Sequence, residues 1–383
     1  MKKLIYLLLL ITGFSATAQQ SKNIEDLEYL YQAIKQTPSY RNQLKNDKSY
    51  VEIYQGLKNN LADTNELIVY KKLYQLIAPI RDNHLGFYKV VDTNLKPRPI
   101  ILKINTDSLK QVLSQKPLES LEGIYDVDSH EFAVVKNTDN EYSVLNLKTK
   151  TVIGFIIETP HQSLDFISLL NGNRGFVLSR NIKHIDGNFS TINLYKTTRP
   201  TFGNLKIGKN NFEFKKISHH VAYLRLSSFY SDNANIATAS KFFQQIKDSL
   251  NAPNLIVDVR NNSGGGFRVS QQFIDLIKSY KGKVFIIQNL RTASNAEKFL
   301  VRLKGRKNVL TLGETTIGTL AFGSNYGNTL TLPNSKFRFY PTDTFDKIDL
   351  PFENLGVEPD VKLDPNKSDW IEQTLDYINK NLN

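Results

Sequence analysis

The run Leu255-Ile256-Val257-Asp258-Val259-Arg260-Asn261-Asn262-Ser263-Gly264-Gly265-Gly266 decides how this chain is read. It is a strand that ends in a glycine-rich loop, and such a loop can take positive φ and turn backbone N–H groups toward a nearby oxyanion. Outward from it, strands at Val221 to Leu226, Leu255 to Val259, Lys283 to Ile287 and Val309 to Leu312 alternate with helices at about Asn233 to Leu250, Val269 to Tyr280 and Ala293 to Leu303. Alternation of this kind implies crossover connections and a largely parallel α/β core. Sites in such sheets gather at the carboxyl ends of strands, where Asp258 to Gly266, Ser294 and Gly313 to Gly318 all fall.

About 30 residues after the glycines, Asn289-Leu290-Arg291-Thr292-Ala293-Ser294-Asn295-Ala296-Glu297 turns a strand into a helix. A hydroxyl on a tight strand-to-helix turn is held out of the core, beside amides that can bind an oxyanion. The pairing points to serine acyl-transfer chemistry. Structural alternatives stand beside it. Ser294-x-x-Glu297 is also a capping box, in which the hydroxyl satisfies an orphan helix N–H. The glycine loop is also a turn that needs positive φ, or a phosphate cradle, although no lysine follows it as a P-loop requires.

The rest of the chain bounds these readings. Lys2 and Lys3, an apolar stretch from Leu4 to Phe14 and then Ala16-Thr17-Ala18 predict a secretory signal peptide over residues 1–18, and so a periplasmic or extracellular protein with no stable membrane anchor. The chain has no cysteine, so after export it has to be stable without disulfides, and 383 residues suffice for a large core. The net charge of +12 is dispersed along the chain, without the basic stripe and stacking aromatics of a nucleic-acid binder. Between Asn23 and Ile80 the apolar spacing predicts three short helices, the last broken at Pro79, which leaves Asp82-Asn83-His84 on a loop. From about Leu118 to Thr198 the period changes to strands, at Glu131 to Lys136, Tyr142 to Leu147, Val152 to Ile157 and Thr191 to Tyr195.

Four fragments, in order, resemble the C-terminal processing peptidases and tricorn-type serine peptidases. They are Asp258-x-Arg260-x-Asn262-x-Gly264-Gly265, Thr292-Ala293-Ser294-x-x-Glu297, Gly313-Glu314-x-Thr316-x-Gly318 and Glu353-Asn354-x-Gly356-Val357-x-Pro359-Asp360, within residues 215 to 362. The resemblance implies an α/β catalytic core of the processing-peptidase (ClpP/crotonase-like) type over residues 201–383, behind a helical bundle at 19–90 and a linker with a small antiparallel β module at 91–200. Relatives often carry a PDZ domain there, but its carboxylate-binding loop is not found in this stretch.

The same resemblance makes Ser294 the nucleophile and the amides of Gly264 or Gly265 and of Asn295 the oxyanion donors. The Ser-Lys branch carries a lysine directly after the last glycine of the third fragment, where this chain has Thr319. Tricorn-type members take a histidine from the region before the core, and Asp82-x-His84 is similar to their Asp-Gly-His segment, with Asn83 in place of the glycine. The other histidines, His130, His161, His184, His219 and His220, have no such context. Glu353 matches a glutamate that assists the tricorn-type site, and is equally a surface carboxylate in a loop. The expected substrate is a peptide or unfolded protein, with no metal and no organic cofactor. A peptide- or ligand-binding protein on the same scaffold, inactive for want of the lysine, is the alternative.

Overall fold

The computed structural model describes residues 2–127, 129–197, 210–325 and 327–381. The chain divides into two compact units, Met1–Thr197 with Phe322–Phe345, and Thr198–Ala321 with Asp346–Asn383.

The first unit opens with helices α1 (Lys2–Lys35), α2 (Pro38–Gln43), α3 (Lys48–Asn60) and α4 (Glu66–Tyr74). Side-chain caps set the later starts: Thr37 accepts from the Tyr40 N–H, Asp47 from Ser49, and Asn65 from Leu67 and Ile68. Each satisfies a first-turn donor that has no partner inside its helix. The three helices read between Asn23 and Ile80 are thus joined by a short fourth, α2, whose Pro38 start is favourable for a helix. Then come β1 (Gly86–Lys89), α5 (Thr106–Leu113), β2 (Gly123–Val127), β3 (His130–Thr138), β4 (Glu141–Asn146), β5 (Thr151–Glu158), β6 (Leu164–Leu170), β7 (Gly175–Ile182), β8 (Asn188–Phe189) and β9 (Leu194–Tyr195).

The chain then enters the second unit with β10 (Phe212–Lys216), β11 (Val221–Leu226), α6 (Asn233–Ile246), β12 (Asn254–Asp258), α7 (Phe267–Ser279), β13 (Lys283–Gln288), α8 (Asn295–Val301) and β14 (Val309–Gly313). It returns to the first with β15 (Phe322–Ser324), β16 (Leu330–Thr331), β17 (Arg338–Tyr340) and β18 (Thr342–Phe345), and ends in the second with β19 (Val361–Lys362) and α9 (Trp370–Lys380).

In the first unit an eleven-stranded sheet runs β16-β17-β1-β7-β6-β5-β4-β3-β2-β9-β8. It is larger than the small module expected, because β6 and β7 extend the meander and β17 pairs with β1, Phe339 opposite Phe87. Residues 322–345, read from sequence as part of a continuous 201–383 span, are drawn into this unit by that pairing and by Asp26 of α1, whose carboxylate accepts the N–H groups of Asn334 at 2.8 Å and Ser335 at 2.7 Å. One apolar cluster joins Leu27, Tyr50 and Tyr70 of the helices to Phe87, Ala133, Phe176 and Phe339 of the sheet.

The second unit is the alternating α/β layer read from the sequence. Its sheet runs β10-β11-β12-β13-β14-β19, parallel from β11 onward, with β10 added antiparallel. Every residue of β11 and β12 is buried, as a parallel sheet covered on both faces requires. Leu224, Val257 and Ile286 pack on one face with Phe273 of α7 and Phe299 of α8, while Tyr223, Ile256 and Phe285 pack on the other with Trp370 of α9. No helix among the described residues is long and apolar enough to cross a membrane.

Candidate active site

The second unit gathers its polar motifs at the carboxyl ends of β12, β13 and β14. Asp258 ends β12 and holds Arg260 through Nη2 to Oδ2 at 2.7 Å and Nε to Oδ1 at 3.0 Å, while the Tyr223 hydroxyl donates to Oδ2 at 3.1 Å. Arg260 is fully buried, with its guanidinium 5.7 Å from the Trp370 ring centre. A buried guanidinium is tolerated when it is paired in this way. Asp258 thereby holds the Arg260 guanidinium over Trp370 of α9.

Asn262 shapes the loop that follows. Its Nδ2 donates to the Leu226 carbonyl at 2.9 Å, its Oδ1 accepts the Gly264 N–H at 2.9 Å, and its carbonyl accepts the Ala293 N–H at 3.0 Å. Gly264 and Gly265 take φ of +94° and +136°. A Cβ on Gly264 would lie 2.7 Å from both the Ser294 Cβ and the Asn295 nitrogen, and one on Gly265 would lie 1.9 Å from the Phe229 carbonyl oxygen. Only glycine allows this approach. The two glycine amides considered from the sequence are not equivalent, because that of Gly264 is committed to Asn262. The N–H groups of Gly265 and Asn295 make no hydrogen bond among the described residues.

A second loop is stitched to the first. Asn289 accepts the Asn261 N–H at 3.0 Å and donates to the Asn261 side chain at 2.8 Å, and the Thr292 hydroxyl donates to the Val259 carbonyl at 3.0 Å. Ser294, half-buried, precedes α8 with φ 55° and ψ −123°. An N-cap residue is normally extended, and a non-glycine residue at this φ and ψ is strained by about 1–3 kcal/mol. The helix read as starting at Ala293 begins at Asn295, because Ser294 takes this backbone turn instead.

Glu297 is the group that sequence reading placed only as a capping partner. It is fully buried and accepts four donors: the Ser294 N–H at 3.0 Å, the Thr316 hydroxyl at 2.5 Å, the Gly318 N–H at 2.7 Å and the Thr319 N–H at 2.9 Å. Burial pushes its carboxyl up, against the pull of those hydrogen bonds. Glu353, also buried rather than on the surface, accepts the next two amides, Leu320 at 2.9 Å and Ala321 at 2.7 Å. Residues 318–321 thus give four successive amides to two carboxylates. Gly318 is needed there, at φ +83°, since a Cβ would lie 2.6 Å from the Gly356 nitrogen.

Thr319, at the position of the Ser-Lys lysine, is part of this strap. The nearby lysines of α8 and the turn after it are ion-paired, Lys298 with Asp349 at 3.3 Å and Lys304 with Asp360.

His84 lies in the first unit, on the loop between α4 and β1. Its N–H donates to Asp82 Oδ1 at 3.1 Å. Asp82 is fully buried, its Oδ2 accepts the Thr342 hydroxyl at 2.6 Å, and Arg180 donates to its carbonyl at 3.3 Å. Burial raises the Asp82 carboxyl, with Thr342 and Ser39 acting the other way. Asp82-x-His84 is therefore a turn closed by its own aspartate. In the second unit the Gly264-Gly265 loop lies against Ser294 and Asn295, while Glu353 binds the Leu320 and Ala321 amides of the strap whose first two amides Glu297 holds.

In solved structures the chain is similar to a lipoprotein from Streptococcus agalactiae (18% identity over 45% of this chain and 71% of that one, TM-score 0.33). It is also similar to the photosystem II D1 C-terminal processing protease (14%, covering 90% and 93%, TM-score 0.41) and to the tricorn protease (14%, covering 94% and 37%, TM-score 0.44). No curated protein matches it in sequence. The resemblance read from the motifs is one to peptidase family S41, whose family model matches residues 220–279, from the start of β11 to the end of α7.

Proposed function

We propose that the chain is a serine peptidase that hydrolyses peptide bonds through an acyl-enzyme, with Ser294 as nucleophile. The observation that carries this reading is the strained turn at Ser294, φ 55° and ψ −123°, set against a positive-φ glycine loop beside the unbonded amides of Gly265 and Asn295. A strained strand-to-helix turn presents a hydroxyl, and preformed donors next to it stabilise a tetrahedral oxyanion without reorganising. The S41 match over the glycine loop supports the same reading.

In this mechanism Ser294 Oγ attacks the peptide carbonyl and its proton passes to His84. The carbonyl oxygen becomes an oxyanion held by the Gly265 and Asn295 amides. The C–N bond then breaks, and His84 returns the proton to the leaving amine. Water hydrolyses the ester by the same steps, leaving Ser294 free. His84 is preferred to a lysine because Thr319 stands where the lysine would and Lys298 and Lys304 are engaged by aspartates. Glu353 supports the polar network by fixing residues 320 and 321.

The further parts of the proposal are a ClpP/crotonase-like core, an N-terminal helical bundle, and export directed by residues 1–18, on the strength of their charged and apolar composition. The test is a fluorophosphonate probe together with a mixed peptide library. Wild-type protein is labelled at Ser294 and cleaves peptides, and Ser294→Ala does neither while staying folded. Peptide binding without labelling or cleavage would instead favour an inactive ligand-binding scaffold.

A further inference from the structure

The Glu297 carboxylate does more than a helix cap requires. A capping box needs only the bond to the Ser294 N–H, yet three of its four donors come from the Thr316 hydroxyl and the amides of Gly318 and Thr319, 19 to 22 residues further along the chain. The residue it holds is a serine at φ 55° and ψ −123°, which an ordinary N-cap would not adopt. Thr316 is itself fixed, since its hydroxyl accepts the Val357 N–H at 2.8 Å and its N–H donates to the Val357 carbonyl at 3.3 Å. The strained turn is thereby tied to a segment that Val357 holds rather than left to its own helix.

We propose that Glu297 is the positioning residue of this site. Through one buried carboxylate it ties the Ser294 backbone to the Thr316–Thr319 strap and holds the serine hydroxyl in attacking geometry. The inference rests on Ser294 being the nucleophile, and adds to it the group that keeps the nucleophile in register. The Glu297 carboxylate reaches Ser294 through its main-chain N–H, so loss of the carboxylate acts on the placement of Ser294 and not on substrate binding.

The experiment compares fluorophosphonate labelling rates at Ser294, kcat and KM for the full chain in wild type, Glu297→Gln, Thr316→Val and Thr316→Ser, with thermal unfolding recorded for each. Glutamine keeps the size of Glu297 but turns one oxygen into a donor facing other donors. A nucleophile displaced by about 1 Å loses on the order of 100-fold in rate, so folded Glu297→Gln is expected to label about 100-fold more slowly at a near wild-type KM. Thr316→Val, which removes one donor to the glutamate together with the acceptor of the Val357 N–H, shifts labelling and kcat the same way, and Thr316→Ser, which keeps both bonds, restores them.

Labelling at the wild-type rate in a folded Glu297→Gln protein, or a loss that merely tracks the folded fraction, would overturn the proposal. If Glu297→Gln does not fold, the contrast between Thr316→Val and Thr316→Ser decides, and equal rates in those two refute it. A wild-type protein that is never labelled at Ser294 removes the peptidase reading itself, a different result from normal labelling that is indifferent to Glu297.

Discussion

Each unit holds one candidate residue by the same device, and the two copies differ in reach. In the second unit a buried carboxylate, Glu297, accepts the main-chain N–H of Ser294 and the hydroxyl of Thr316, 19 residues away from it. In the first unit Asp82 accepts the main-chain N–H of His84 and the hydroxyl of Thr342, 260 residues away. Both carboxylates are fully buried and both are pushed up by that burial. A buried carboxylate is costly unless it is well supplied with donors, so each is an anchor that is stable only when its distant threonine is in place. The serine anchor closes within one stretch of α/β chain. The histidine anchor closes only after the chain has left the first unit and returned to it.

The largest expected effect tests whether these two anchors serve one reaction. His84→Ala is expected to lower kcat by about 10^4-fold, the scale of a lost general base, without unfolding the protein. Asp82→Asn is expected to cost less, and to add little in the His84→Ala background, because a positioning group has nothing left to position. Peptide turnover near the wild-type rate in His84→Ala would break the comparison and leave Ser294 in need of another base.

The next effect separates anchor from active group. Thr342→Val removes the hydroxyl that donates to Asp82 at 2.6 Å and leaves a buried acceptor short of a donor, so the first unit should lose about 1–3 kcal/mol. Its kcat should fall far less than that of His84→Ala. Denaturant midpoints and steady-state rates on the same samples check this, and an unchanged midpoint would show that the distant threonine contributes nothing to the anchor.

The difference in reach also governs what the sequence discloses. The strand Val221 to Leu226 was readable to the residue, and the alternation around it placed β12, α7, β13 and β14 within two residues, because a parallel sheet covered on both faces writes itself as short apolar runs between helices. The turn at Ser294 was visible because strand, polar turn and helix follow one another directly. Glu297 was hidden in plain view: Ser-x-x-Glu spells a capping box, which is present, and only the further donors from Thr316, Gly318 and Thr319 make the same carboxylate a buried latch. The commitment of the Gly264 amide could have been found, since Asn262-x-Gly264 has the spacing of a turn closed by the asparagine side chain. The return of residues 322–345 could not. β17 is three residues long, and its pairing with β1 depends on a surface assembled some 250 residues earlier.

The smallest expected effect lies wholly in the first unit and asks whether its stability carries an acid-sensitive histidine. His184 packs 4.6 Å from the Phe189 ring, with Nε2 3.4 Å from the Tyr125 hydroxyl. Burial first, and the Lys196 ammonium second, lower its pKa to about 4. That ammonium is itself fixed by the carbonyls of Leu118 at 3.1 Å and Glu122 at 2.9 Å, so it cannot swing away as the imidazole charges. With a folded value below the ordinary one of about 6.5, the unfolded chain binds a proton between those values that the folded chain refuses. The contribution is fully present above pH about 6.5 and is lost as pH falls toward 4, by about 1–2 kcal/mol once solvent screening of the half-buried ring is allowed for. Urea midpoints of wild type and His184→Gln, followed from pH 7.5 to 4.5, should differ by a constant near neutrality and converge as the wild type weakens in acid. Parallel profiles over the whole range would mean that the imidazole titrates at its ordinary value, and that the acid sensitivity of the first unit comes from somewhere other than His184.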